Sequence, residues 1–409
     1  MSSGNSASLK KTNLADNHTA LGGNMVDFGG WLMPLWYKTG AVQEHLAVIN
    51  SAGLFDTSHM TVVLAEGARV KEFINFAVTK DIGKLALERA AYGIVLNEKG
   101  YAVDDVLVYP LAEDRYGLVL NAGMGDVVIQ HLQTLPGADQ IKFTNLSGQI
   151  GKLDIQGPAA YSILRPLIDN ADAVFEKFPY FSFKGDFDYA QSKIKFGGDI
   201  PVLLSRTGYT GELGFEIFMS ASDLVKAWDI LLKAGGEKLL PCGLAARDSL
   251  RTGAVLPLSH QDIGNWPFIN NPWNMALPLD EAGNFTKNFL GRDALNRETA
   301  EHTLPFIGFD PRKVDADCSV VVCDGEEIGK ILTVVGEMAI GRIDGKVVGL
   351  ASPDKPEGWT PKGLMCGYVK VKKHLPVGAT ITLKDSRREL KAEIAADIRP
   401  NRTARIKLS

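Results

Sequence analysis

The residues able to do chemistry fall into five clusters. Two adjacent carboxylates, Asp104 and Asp105, lie in the β-prone run Val103–Pro110 (VDDVLVYP). Neighbouring side chains on a strand face opposite ways, so only one of the pair can point into a given pocket. A lone inward carboxylate in apolar surroundings is costly unless it is paired or moves a proton. Two solvated turn aspartates would be the ordinary alternative, and spacing does not choose between them. The segment Arg206–Glu216 (RTGYTGELGFE) sets Tyr209, Glu212 and Glu216 among glycines. It has neither the G-x-G-x-x-G nor the Gly-Lys-Ser/Thr spacing of a phosphate-binding loop, so a nucleotide cradle is not expected. In Gly243–Leu250 and the residue after it (GLAARDSLR), Arg247 and Arg251 share a helical face. One guanidinium there can grip an anion through two parallel hydrogen bonds. The plainer reading is an Asp248–Arg251 surface pair.

The other two clusters are aromatic. Val26–Pro34 (VDFGGWLMP), followed by Leu54–Met60 (LFDTSHM), combines paired glycines with Phe28 and Trp31. Such a turn lets backbone approach a flat ring closely, or simply packs two core aromatics. Trp266–Met275 (WPFINNPWNM) is too apolar for an ordinary surface loop, so it covers a core or walls a pocket. Serine hydrolysis is poorly supported, because no G-x-S-x-G occurs and Ser58 and His59 are sequence neighbours. His59 and His260 read as structural rather than as metal ligands. The four cysteines, Cys242, Cys318, Cys323 and Cys366, form neither a disulfide framework nor a zinc set, so no metal is expected.

These clusters need elements to position them. Ala41–Ala52 has apolar residues at helical spacing, as does Ser222–Lys233, where Ser222 is the expected N-cap and Gly235-Gly236 the stop. Leu244–Gly253 is a further helix. Thr61–Leu64 reads as a strand, and Val103–Pro110 and Tyr116–Leu120 read as a hairpin. Similar β-rich runs recur at Lys152–Ile155 and Ile200–Ser205. Beyond Pro305, short β-branched segments such as Ser319–Cys323 and Ala379–Leu383 suggest a small all-β module. Asp324-Gly325 and Asp344-Gly345 are its hairpin turns. Residues 1–14 are polar and expected to be loosely held.

With 409 residues, 45% hydrophobic and 22% charged, the chain is long enough for several cores and is not a disordered or fibrous sequence. A net charge of −4 argues against nucleic acid as a partner. No apolar run approaches a membrane span, and the polar N-terminus lacks an export signal, so a reducing cytoplasm is the expected compartment.

Taken in order, the segments VDFGGW, LFDTSHM, VDDVLV, VLNAG, IQGP, RTGYTGELGFEI, GLAARDSLR, LPL…DI, NFLGRDAL and GLMCGYV make a collinear set from about residue 19 to about residue 385. This set resembles the glycine-cleavage T-protein family, the tetrahydrofolate-dependent aminomethyltransferases. The resemblance implies an α+β fold, a three-lobed ring closed by a small C-terminal β-barrel. Residues 15–300 would form the folate-binding region, of two interwoven subdomains, and 301–409 the barrel. It implies tetrahydrofolate as cofactor and Asp105 as the catalytic carboxylate facing the pocket, with Asp104 turned outward. Met60, Asn121, Tyr209, Glu216 and Arg247 match folate-binding positions, Glu216 on the amino-pyrimidine edge and Arg247 near the anionic tail or substrate.

The sequence departs from the family around the aromatic loop. Phe268 and Ile269 follow Pro267 where a Pro-x-Glu is usual, and Asn274 stands near the usual Trp position with Trp273 beside it. His260 replaces a Tyr-Gly or similar pair. Trp266, Phe268, Trp273 and Asn274 are therefore expected to line the substrate pocket. The leading reading is aminomethyl transfer from the lipoyl carrier protein of the glycine cleavage system. The alternative is a demethylase moving a methyl group from a small sulfonium, amine or aryl ether donor to folate, with the aromatic wall holding an onium cation. A folate-binding scaffold without turnover is a third, opposed by retention of Asp105.

Overall fold

The computed structural model describes residues 9–296 and 301–408. Residues 1–8, and the position expected to divide the two regions at residue 300, lie outside the described residues. The rest of the N-terminal stretch is tied down rather than loose. Lys10–Lys11 pairs in parallel with Trp31 and Leu32, and Thr12 and Leu14 are buried.

An antiparallel sheet of five strands runs, in spatial order, Ala91–Leu96, Ala102–Ala112, Arg115–Leu120, Thr61–Glu66 and Lys142–Asn145. Its second and third strands are the hairpin expected from the β-rich runs around the charged turn. Alternation in Ala102–Ala112 sends Val106 and Val108 into an aliphatic core with Val63, Leu118 and Val128. Asp104 and Asp105 stand opposite Val95 and Ile94, beside a bulge that ends the regular pairing.

A second sheet of six strands is assembled from distant parts of the chain: Phe183–Lys184, Leu203–Ser205, Gly214–Ser220, Ile150–Gln156, Ala52–Asp56 and Leu239–Pro241. The chain leaves this sheet after Asp56, builds the five-stranded sheet, and returns at Ile150. Asp154 is paired directly with Glu216. Gly157 follows at φ +126°, where a Cβ would sit 2.4 Å from the carbonyl oxygen of Ser51, so this turn admits only glycine.

The helices Ala41–Asn50 and Leu244–Gly253 lie where the apolar spacing places them. The helix expected from Ser222 starts differently. Residues Ala221–Asp223 form a 3₁₀ turn in which Ser220, not Ser222, is the cap, and the α-helix runs Leu224–Gly235. The hydroxyl of Ser220 can reach the amide of Ser222, and the tighter turn brings Leu224 and Trp228 onto the sheet.

Strands His302–Gly308, Leu364–Val371, Glu326–Glu337, Val320–Cys323, Thr380–Lys384 and Glu389–Ile394 close into a barrel. Asp324-Gly325 (φ +52° and +82°) and Asp344-Gly345 (φ +49° and +80°) are two-residue turns with both residues left-handed, as their sequence implied.

Two buried polar groups lock the barrel to the rest. Arg251 donates to Asp262 and, at 3.1 Å, to Thr333 of the barrel. Glu337 accepts from Arg399 at 2.5 Å and pairs with His45 at 2.7 Å. Arg399 also meets Glu212. Between barrel and five-stranded sheet, Phe268, Trp273, Ile94, Leu96, Leu332 and Tyr368 share one hydrophobic core. Among the described residues no helix is long and apolar enough to cross a membrane.

Candidate active site

Asn121 stands just past the end of strand Arg115–Leu120 and binds both aspartates. Its backbone N–H donates to Asp104 Oδ2 at 3.0 Å, and its Nδ2 donates to Asp104 Oδ1 at 2.7 Å and to Asp105 Oδ1 at 2.5 Å. The Tyr92 hydroxyl, on the neighbouring strand, donates to Asp105 Oδ2 at 2.9 Å. Burial pushes the Asp105 carboxyl up to about 7, with the charge of Asp104 adding to it. Burial also raises Asp104, to about 6. Asp105 is half-buried, which leaves it the more accessible of the two. Asp104 is not turned out to solvent. The segment after Pro257 covers that side of the strand, and Ser259 Oγ donates to Asp104 Oδ1 at 2.8 Å.

A polar strip continues onto the six-stranded sheet. Tyr209 is within electrostatic reach of Asp105, and its hydroxyl donates to the carbonyl of Pro257. The guanidinium of Arg247 lies 4.8 Å from the Tyr209 ring centre and donates to Asp154 Oδ2 at 2.9 Å. Lys152 Nζ bridges Asp154, at 2.5 Å, and Glu216, whose other oxygen accepts from Thr207. Lys152 and Asp154 share a strand face, and Asp154 faces Glu216 across the ladder, so the ammonium offsets two like charges placed side by side. Met60 packs nearby against the core of Val62, Tyr109 and Phe218, and Lys152 Nζ is 5.4 Å from the Phe218 ring centre.

Asp105, Asn121 and Tyr92 thus form one hydrogen-bonded group, and Arg247, Asp154, Lys152 and Glu216 a second, with Tyr209 stacked on Arg247. The aromatic loop is used differently. Phe268 and Trp273 are buried in the core shared with the barrel, and Trp273 Nε1 donates to the carbonyl of Val255. They do not form an open wall, because the loop is pinned by Phe268 N–H to the carbonyl of Gly100 and by Trp273 against Tyr368. Trp266 is half-buried with Lys370 Nζ 4.3 Å from its ring centre, and Asn274 is exposed. Tyr92 and Trp266 both pack against this core, so the loop supports the tyrosine that holds Asp105. Arg251 makes the expected pair with Asp248, at 2.7 Å, but does so from a fully buried position rather than at the surface.

Lys152, Asp154 and Tyr92 carry no functional signal in the sequence reading, which takes His59 as structural. A lysine and an aspartate two apart in a β-rich run signal a common face, but not that the face is interior. His59 is buried, and burial, with Arg247 and Lys152 adding, lowers it to about 4 against the pull of Asp56. Its Nδ1 has no hydrogen-bond partner among the described residues. A neutral imidazole with a free nitrogen beside Arg247 and Lys152 fits a polar ligand group. Lys152→Met is expected to lower stability by about 2–3 kcal/mol in urea unfolding at neutral pH, because Glu216 loses its counter-charge.

A family model described as the GCVT N-terminal domain matches residues 14–267. An aminomethyltransferase of Symbiobacterium thermophilum is 38% identical over 333 residues, covering 80% of this chain and 85% of that protein. An aminomethyltransferase of Halalkalibacterium halodurans is 40% identical over 292 residues, covering 71% and 75%. The crystal structure of the glycine cleavage system aminomethyltransferase T from Bartonella henselae shares the fold, with a TM-score of 0.77 over 98% of this chain and 100% of that one at 24% identity. The family model spans more than half of the chain and the relatives are matched over most of their length, so the chain belongs to the aminomethyltransferase family of one-carbon-group transferases.

Proposed function

We propose that this chain moves an aminomethyl group from the lipoyl arm of a carrier protein to tetrahydrofolate in the cytoplasm, releasing ammonia. The observation that carries this reading is Asp105, a carboxyl raised to about 7 by burial and held between Tyr92 and Asn121. A group that titrates near neutrality can both take and give a proton at working pH. When bound, tetrahydrofolate supplies N5 and N10, whose two protons end on the departing ammonia and on the freed arm's thiol. Asp105 is the group that takes a proton from a folate nitrogen and returns it to the leaving amine. Tyr92 and Asn121 fix its two oxygens, so the acceptor lone pair is aimed before the substrate arrives.

Arg247, stacked on Tyr209 and only partly satisfied by Asp154, suits an anionic tail or carrier group. Glu216 has both oxygens engaged, yet a carboxylate can accept about four hydrogen bonds, so it retains capacity for the amino-pyrimidine edge. Met60 offers an apolar face. The demethylase alternative draws no support from the aromatic loop, since Phe268 and Trp273 are interior and Lys370 already occupies a face of Trp266.

The test supplies tetrahydrofolate and aminomethylated carrier. Methylenetetrahydrofolate and ammonia are expected in equal amounts. Methyltetrahydrofolate formed without carrier, from a sulfonium, a methylamine or an aryl methyl ether, would replace this reading with the alternative.

A further inference from the structure

We propose that Asp104 and Asp105, gathered on the one amide of Asn121, together retain a single proton, and that His260 exchanges the proton of Asp104 with solvent as a positioning and relay residue. The second half rests on the aminomethyl-transfer reading, which requires a proton to pass in and out at Asp105.

The geometry begins with one amide nitrogen serving two carboxylates. Asn121 Nδ2 donates one hydrogen to each, so their Oδ1 atoms converge on the same point. Asp104 is fully buried and Asp105 half-buried, and no lysine or arginine among the described residues lies within 4 Å of either. Two full charges so close and without a counter-ion are costly, and the pair relieves this by keeping a proton.

His260 is the ionisable group that reaches this pair from outside. Its Nε2 lies 3.9 Å from Asp104 Oδ1, and its side chain is 50% exposed while that of Asp104 is 0% exposed. It therefore touches water at one end and the buried carboxylate at the other. The separation is bridged by a small rotation or by one water. The backbone makes the placement specific, because His260 is left-handed at φ +64° in the turn that also aims Ser259 Oγ at the same Oδ1. That turn is held by the amide of Asp262 on the carbonyl of Leu258 and by Asp262 Oδ2, which accepts the amide of Leu258 and pairs with Arg251. The ionisable groups facing the dyad are Tyr92 and Tyr209 on the Asp105 side and His260 on the Asp104 side. Arg251 and Asp262 neutralise one another behind the turn.

The proton count balances without any further reactant. Asp105 accepts a proton from a folate nitrogen, and the proton held by the dyad leaves from Asp104 to His260 Nε2 and then to water. When Asp105 gives its proton to the leaving amine, the reverse path returns one to Asp104. An imidazole has two ring nitrogens, so one can take a proton while the other gives one up.

Two measurements test this. In the folate-free protein, ¹³C NMR of labelled aspartate carboxyls is expected to show one member of the pair protonating near neutrality and the other well below. Simultaneous ionisation of both below pH 4.5 overturns the shared proton, whatever reaction the protein catalyses. In turnover assays, His260→Ala is expected to lower kcat about tenfold with KM for tetrahydrofolate unchanged, and added imidazole should restore it. Unchanged kcat, or a loss that His260→Gln repairs and imidazole does not, overturns the relay. An inactive parent protein strikes the aminomethyl-transfer reading and with it the relay, while the NMR result for the dyad stands alone.

Discussion

Asp105→Asn is expected to cut turnover by about 10²–10⁴-fold, to leave tetrahydrofolate affinity within about threefold, and to make the folded protein more stable at pH 8. The first effect follows from losing the carboxylate whose two oxygens Tyr92 and Asn121 hold in place. The second follows because an amide keeps the size of the carboxyl and one hydrogen-bond acceptor. The third is a matter of linkage. Burial raises Asp104 from the ordinary 3.8 to about 6 and Asp105 to about 7, so the folded state holds protons that the unfolded chain has already released. The contribution to stability is fully present below pH 3.8 and is lost as pH rises through about 7. Removing one charge therefore adds about 1–3 kcal/mol at pH 8 and little at pH 4. Urea unfolding at both pH values reads this directly. An equal difference at the two would show that the aspartates are not strained by their burial.

The second large effect lies far from the reacting atoms. Arg399→Met is expected to lower stability by about 3–5 kcal/mol, because it leaves two carboxylates buried without their common partner. Arg399 donates to Glu337 Oε2 at 2.5 Å and lies 3.1 Å from Glu212 Oε1. It also donates to the carbonyl of Thr210, within the segment that carries Tyr209 and Glu216. Burial alone would raise Glu337, but His45 and Arg399 hold it down to about 2. Its stabilising contribution is present above the ordinary value of 4.5 and disappears as pH falls toward about 2. The double variant Arg399→Met with Glu337→Gln should recover part of the loss at neutral pH. Guanidinium unfolding of parent, single and double variants gives the coupling energy, and strict additivity would disprove the network.

Much of the architecture was legible from local pattern. Alternation in VDDVLVYP and YGLVL marks a hairpin of the five-stranded sheet, and the Asp-Gly pairs mark one barrel turn and the turn of a separate two-stranded hairpin, because both positions need positive φ. The collinear motifs carried the family. Local pattern failed where the deciding contact was distant. Strand geometry alone puts Asp104 on the outer side, because it knows nothing of the segment that later covers it. Ser259, which covers it, is 155 positions away. The aromatic loop looked like a pocket wall because its composition is apolar. Its rings instead fill the junction with the barrel, against Leu332 and Tyr368.

By its own residue types and spacing, then, the chain determined where strands turn, which strand bears the paired carboxylates, and which family it joins. These are properties of short stretches, in which backbone preference and apolar periodicity act between near neighbours. Only the tertiary structure decided which charges meet. Lys152 reaches Glu216 across 64 positions, and His45 reaches Glu337 across 292. Such pairings form only after folding brings distant segments together and removes water from around them. In that low-dielectric interior an unpaired charge is so costly that each one dictates where its partner must stand.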